Sequence, residues 1–112
     1  MSDVLEQLAT TLAERRHGDP EKSYVASLHH KGLNKILEKI GEEATEVVLA
    51  AKDADVKGGR EAVIGEVADL WFHSMVMLSH LDIQTSEVIE CLGRRFGVSG
   101  LDEKASREKP EC

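Results

Sequence analysis

The sequence predicts an all-α fold, an antiparallel helical bundle with two long central helices whose core is completed by dimerisation. Apolar residues recur at helical intervals through Leu33–Asp53 and again through Arg60–Leu81. Only Lys57-Gly58-Gly59 and its immediate flanks separate the two stretches, so they are natural antiparallel neighbours. Aromatic residues are 4% of the 112, with 2 Pro and few β-branched runs. That composition favours an aliphatic helical core over a sandwich or barrel.

Each element has its own signals. Asp3 and Glu6 have the spacing of a capping box, and Val4, Leu5, Leu8 and Leu12 then form a stripe. A first helix over Val4–Arg16 follows, stopped by His17-Gly18-Asp19-Pro20. Ser23–His30 has room for a short helix but is too brief for periodicity to establish one. Leu33, Ile36, Leu37, Ile40, Ala44, Val47, Val48 and Ala51 predict a long amphipathic helix ending near Asp53. Val63, Ile64, Val67, Leu70, Trp71, Met75, Leu78 and Leu81 mark the second one. Thr85 and Ser86 look like caps for a last helix through Leu92, with Gly97 as its stop. Residues 1–97 thus form one helical domain, and 98–112 a polar C-terminal segment. Two long and two short helices leave part of a two-sided apolar stripe uncovered, which a second copy of the chain would bury.

Charge and composition narrow the function. With 21 acidic against 14 basic residues the net charge is −7, which disfavours nucleic-acid backbones and anionic lipid as partners. The chain lacks a hydrophobic leader pattern and an uninterrupted run of about 20 apolar residues, so no membrane association and a cytoplasmic location are expected. Two cysteines, Cys91 and Cys112, are too few for a pair of CxxC metal motifs or a disulfide-rich scaffold.

The informative feature is the placement of acids. At about 100° per residue, Glu43 and Glu46 share one flank of the first long helix, and Glu66 and Asp69 the corresponding flank of the second. Packed level, the two helices bring four carboxylates into one small volume. Two unit charges about 5 Å apart repel by roughly 3 kcal/mol at an effective dielectric of 20. A divalent cation removes that cost, and all-oxygen ligation suits Mg²⁺, with Mn²⁺ as a substitute. The Glu-x-x-His repeats of di-iron bundles are missing, which argues against oxygen chemistry. A single i, i+3 acid pair is usually a solvated helix face; two on facing flanks are not so easily dismissed. Gly41 and Gly65, each just ahead of an acid set, suggest close approach of a backbone or ligand, or a packing contact.

Glu42-Glu43-x-x-Glu46 and Glu66-x-x-Asp69, with 19 residues between them, resemble the metal signature of the all-α nucleotide pyrophosphohydrolases related to MazG. SYVASL, GLNKILEKIGEEATEVVLAA, GEVADLWFHSMVML and RRFGVSGLDEKASR extend the likeness, over nearly the whole chain, to the phosphoribosyl-ATP pyrophosphatase family. The resemblance implies a homodimer that uses Mg²⁺ to hydrolyse phosphoribosyl-ATP to phosphoribosyl-AMP and pyrophosphate, the second step of histidine biosynthesis. It also implies a functional link to a phosphoribosyl-AMP cyclohydrolase. Carried over by position, Glu43, Glu46, Glu66 and Asp69 are the metal ligands. Glu42, further from the seam, either supports the ligands from behind or orients the attacking water. Where the family usually has Ser-Tyr-Thr, this chain has Ser23-Tyr24-Val25, without the last hydroxyl.

Phosphoanhydride hydrolysis needs charge neutralisation and a positioned water more than a covalent nucleophile. Consistent with that, the chain has no G-x-x-x-x-G-K-[ST] loop and no G-x-S-x-G elbow. Metal-assisted attack of water on the α-β phosphoanhydride is the expected mechanism. Lys39, one turn before Glu43, either contacts substrate phosphate and assists catalysis or simply pairs with a carboxylate. Arg94 and Arg95 end the last helix, where a cation also suits the dipole, and Arg95 is taken as the phosphate contact. The family likeness assigns Lys104 and Arg107 to the phosphoribosyl phosphate. His73 follows Asp69 by one turn and is expected to support the site through hydrogen bonds, not as a ligand. His80 shares that flank with less reason to act. Trp71, Met75 and Met77 read as core or dimer packing.

Two rival functions use the same residues. A house-cleaning pyrophosphatase for noncanonical nucleoside triphosphates would not be expected to carry RRFGVSGLDEKASR. A noncatalytic dimerisation module with an acidic partner-binding face would show no metal dependence.

Overall fold

The computed structural model describes residues 2–97, which form five helices: α1 (Ser2–Arg15), α2 (Tyr24–Lys31), α3 (Leu33–Lys57), α4 (Arg60–His80) and α5 (Thr85–Phe96). No strand occurs among the described residues. Segment 98–112, with Lys104 and Arg107, lies outside them.

The boundaries follow local chemistry. Ser23, in extended conformation, caps α2 by accepting the Ala26 N–H at 3.2 Å, so the short helix that periodicity leaves open does form. α3 runs one turn past Asp53, because Ala54–Lys57 contain no breaker and the chain first turns at Gly58 and Gly59. Their φ values of 82° and 101° are left-handed and favour glycine. The α5 cap falls on Gln84 instead of Thr85 or Ser86: its N–H donates to Glu87 Oε2 at 2.8 Å, and Thr85 is already helical.

α3 and α4 lie along one another, folded back at the Gly58-Gly59 turn, while α1 and α2 cover one end of the pair. The core sits at that end. Leu12 of α1, Val25 and Leu28 of α2, Ile36 of α3, and Met75 and Val76 of α4 are buried together, with Leu5, Leu8, Ile40, Phe72 and Met77 packed around them. Arg16 ties the end of α1 to the end of α4, donating to the Ser79 carbonyl at 2.7 Å and to Asp82 Oδ1 at 2.8 Å. That guanidinium holds the Asp82 carboxyl below its usual range. Nearby, His29 and His80 stack, with their Nδ1 atoms 2.9 Å apart.

Burial along the α3–α4 pair differs from the apolar stripes read from sequence. Leu37, Val48, Ile64 and Trp71 are exposed, the last at 58%. Periodicity identifies an apolar face without naming what covers it. By length and composition alone α4 also qualifies as long and apolar enough to cross a membrane. Glu66 and Asp69 nevertheless stand mid-helix, and α4 packs along the more highly charged α3.

Candidate active site

The pairing of α3 with α4 brings Glu43, Glu46 and Glu66 together, with one carboxylate oxygen of each inside a set whose members all lie within 4.8 Å of one another. Glu43 and Glu46 meet there because three residues are nearly one helical turn. Glu43 is buried at 6% exposure, Glu66 is half-buried and Glu46 is exposed. Glu43 Oε2 and Glu66 Oε2 are buried and have no hydrogen-bond partner among the described residues. Unpaired buried carboxylate oxygens are costly. The donor set is all oxygen and anionic, so it fits a hard divalent cation. The Glu66 carboxyl is raised above the ordinary range, first by its hydrogen bond to Glu46, then by desolvation and by the charges of Glu46, Asp69 and Glu43.

Asp69 stands outside that set, exposed, yet close enough for its charge to act on Glu66. Lys39 Nζ pairs with Glu42 Oε2 at 3.1 Å and lies 3.7 Å from Glu43 Oε1. Its ammonium therefore reaches the edge of the cluster, and the bond to Glu42 raises its pKa. Glu42 accepts a hydrogen bond from Lys39 and is not among the three converging acids. Arg95 is on α5, which packs mainly on α1; its guanidinium lies 5.4 Å from the Phe96 ring centre, and no described contact joins it to the acids. No other part of the described chain approaches Gly41 or Gly65 closely, since a Cβ at either would meet nothing within 4 Å. Both lie on exposed helix surface. A cleft of about 430 Å³ between α1 and α5, lined in part by Leu5, Ala9, Gln84 and Ile89, contains none of these acids.

His73 is buried at 6% exposure, and its ring bridges two helices. Nδ1 lies 2.8 Å from the Asp69 carbonyl oxygen, and Nε2 2.7 Å from the Tyr24 hydroxyl. It thus supports the Asp69 turn through the backbone and not through the carboxylate. His80 meets His29 instead of the acids. Sequence reasoning missed Tyr24. Its partner is 49 residues away, beyond any helical spacing, and the only signal was the SYV segment itself.

The family model described as phosphoribosyl-ATP pyrophosphohydrolase matches residues 5–96, a stretch that includes every acid of the site. The chain belongs to this family. It is 57% identical over 109 residues to the phosphoribosyl-ATP pyrophosphatase of Burkholderia vietnamiensis (strain G4 / LMG 22486), covering 97% of this chain and 90% of that relative. Membership makes the chain an enzyme, a hydrolase of a phosphoanhydride. The converging carboxylates are the part of the fold suited to that chemistry.

Proposed function

We propose that the chain hydrolyses phosphoribosyl-ATP to phosphoribosyl-AMP and pyrophosphate, the second step of histidine biosynthesis, with Mg²⁺ held by Glu43, Glu46, Glu66 and Asp69. The observation that carries this reading is the convergence of three carboxylates from two helices, two of them with buried unpaired oxygens, in a chain of this family. A bound divalent cation supplies neutralisation of the pyrophosphate leaving group and lowers the pKa of attacking water. Glu42, exposed beside the cluster, orients that water. Lys39 stabilises phosphate charge from the rim, and Arg95, Lys104 and Arg107 bind the substrate's remaining phosphates. His73 braces the Asp69 turn. The α-β bond is the one cleaved, and the cyclohydrolase that uses phosphoribosyl-AMP is the next activity in the sequence of reactions.

Incubating the protein with phosphoribosyl-ATP, ATP and dUTP, with and without Mg²⁺, and following phosphorus NMR tests the assignment. Mg²⁺-dependent pyrophosphate release from phosphoribosyl-ATP alone is expected. Equal cleavage of all three would point to a house-cleaning pyrophosphatase, and no cleavage with no metal dependence to a binding module.

The working unit is a homodimer. Leu37 and Val48 share one face of α3, Ile64 and Trp71 one face of α4, and all four are exposed in the single chain. A second copy burying this apolar surface removes it from water. Sedimentation equilibrium at micromolar concentration should return twice the chain mass; a stable monomer would rule the dimer out.

A further inference from the structure

The bond between Tyr24 and His73 has a direction. The Asp69 carbonyl oxygen can only accept, so the His73 nitrogen facing it, Nδ1, carries the hydrogen. In the neutral imidazole Nε2 is then a bare acceptor, and the Tyr24 O–H at 2.7 Å must donate to it. The single hydroxyl proton is thereby committed. What the tyrosine oxygen still offers to its surroundings is lone pairs.

Those lone pairs stand beside the α4 turn that carries Asp69, to which His73 joins the Tyr24 hydroxyl through two hydrogen bonds. Tyr24 opens α2, its ring stacked on Phe72 at 6.3 Å and edge-on to His73 at 5.7 Å, yet 52% of the residue is exposed. The hydroxyl is within electrostatic reach of Lys39, Glu43, Lys35 and Glu42. Burial raises its pKa, so it keeps its proton. The nearest cations are already engaged, Lys39 with Glu42 and Glu43, Lys35 with Glu38. An acceptor-only oxygen cannot bond a phosphate, which is itself all acceptor. The group next along a nucleotide from its phosphates is the sugar, and a sugar hydroxyl is a donor.

We propose that Tyr24 is a substrate-binding residue whose hydroxyl oxygen accepts a hydrogen bond from a ribose hydroxyl of the bound nucleotide, favouring ribose-bearing ligands over bare pyrophosphate. The inference rests on the hydrolase reading of the acid centre above.

The test compares wild type with Tyr24→Phe at pH 8 in Mg²⁺. The ring and its stack on Phe72 are retained, and only the hydroxyl is lost. KM for phosphoribosyl-ATP and the inhibition constant of phosphoribosyl-AMP should both rise about tenfold, as loss of one neutral hydrogen bond allows. The kcat, the inhibition constant of pyrophosphate, and Mn²⁺ affinity measured by electron paramagnetic resonance should stay within about twofold, being independent of this bond. Pyrophosphate and Mn²⁺ weakening alongside phosphoribosyl-AMP would mean a structural role and overturn the proposal. A wild type that hydrolyses the substrate and is matched by Tyr24→Phe removes Tyr24 and leaves the proposed function standing. A wild type that does not hydrolyse it removes both.

Discussion

Glu66→Gln is expected to lower Mg²⁺-dependent hydrolysis by roughly 10²–10³-fold, the size of loss seen when one preorganised electrostatic group leaves a site. Glu66 is the only acid of α4 in the converging set, so its loss separates the contributions of the two helices. Glu43→Gln, Glu46→Gln and Asp69→Asn should lose comparable amounts, and paired substitutions little more, because ligands that hold one ion act as a unit. The metal-free fold should tolerate each change, and Glu66→Gln should raise its melting temperature by relieving repulsion among the carboxylates. Glu38→Gln and Glu90→Gln serve as controls. Glu38 is an exposed partner of Lys35 at 3.5 Å and Glu90 is exposed on α5, so both should stay near wild-type rate and stability. Steady-state rates and Mn²⁺ titration of each variant decide the matter. Losses that simply multiply across the set, or a Glu38 as essential as Glu46, would replace the shared metal site with a partner-binding acidic face.

Ile36→Ala should cost about 2–5 kcal/mol of folding stability, the range for deleting a large aliphatic side chain from a closed core. Ile36 has 0% exposure and is the only residue of α3 in the buried cluster, against Leu12, Val25, Leu28, Met75 and Val76 from three other helices. Removing it opens a cavity where four elements meet, and none can close the gap without shifting the others. Val4→Ala, at a position 66% exposed on α1, should change stability by less than about 0.5 kcal/mol. Urea denaturation followed by circular dichroism measures both. An Ile36→Ala loss below about 1 kcal/mol would mean that the core lies elsewhere, for example across a subunit interface.

By itself the sequence determined the helical class, four of the helices to within a turn, the place of the fold-back at Gly58-Gly59, and the facing flanks that carry Glu43, Glu46 and Glu66. These are consequences of periods and breakers, which act over a few residues and are written into the order of side chains. Tertiary structure decided which part of each apolar stripe is buried. Ile36 and Met75 are buried in the core with residues of α1 and α2, whereas Val48 and Trp71, equally periodic, are not, because burial depends on what else the chain folds against. The same holds for polar partners. Asp69 falls outside the 4.8 Å set although its spacing matches that of Glu66, since a helical wheel gives direction but not the depth of a side chain between two axes. Tyr24 and His73 share no local pattern, and they meet only because the packing of α2 against α3 and α4 closes a 49-residue separation to 2.7 Å. Short-range order in a chain fixes where a side chain points, and long-range packing fixes what it finds there.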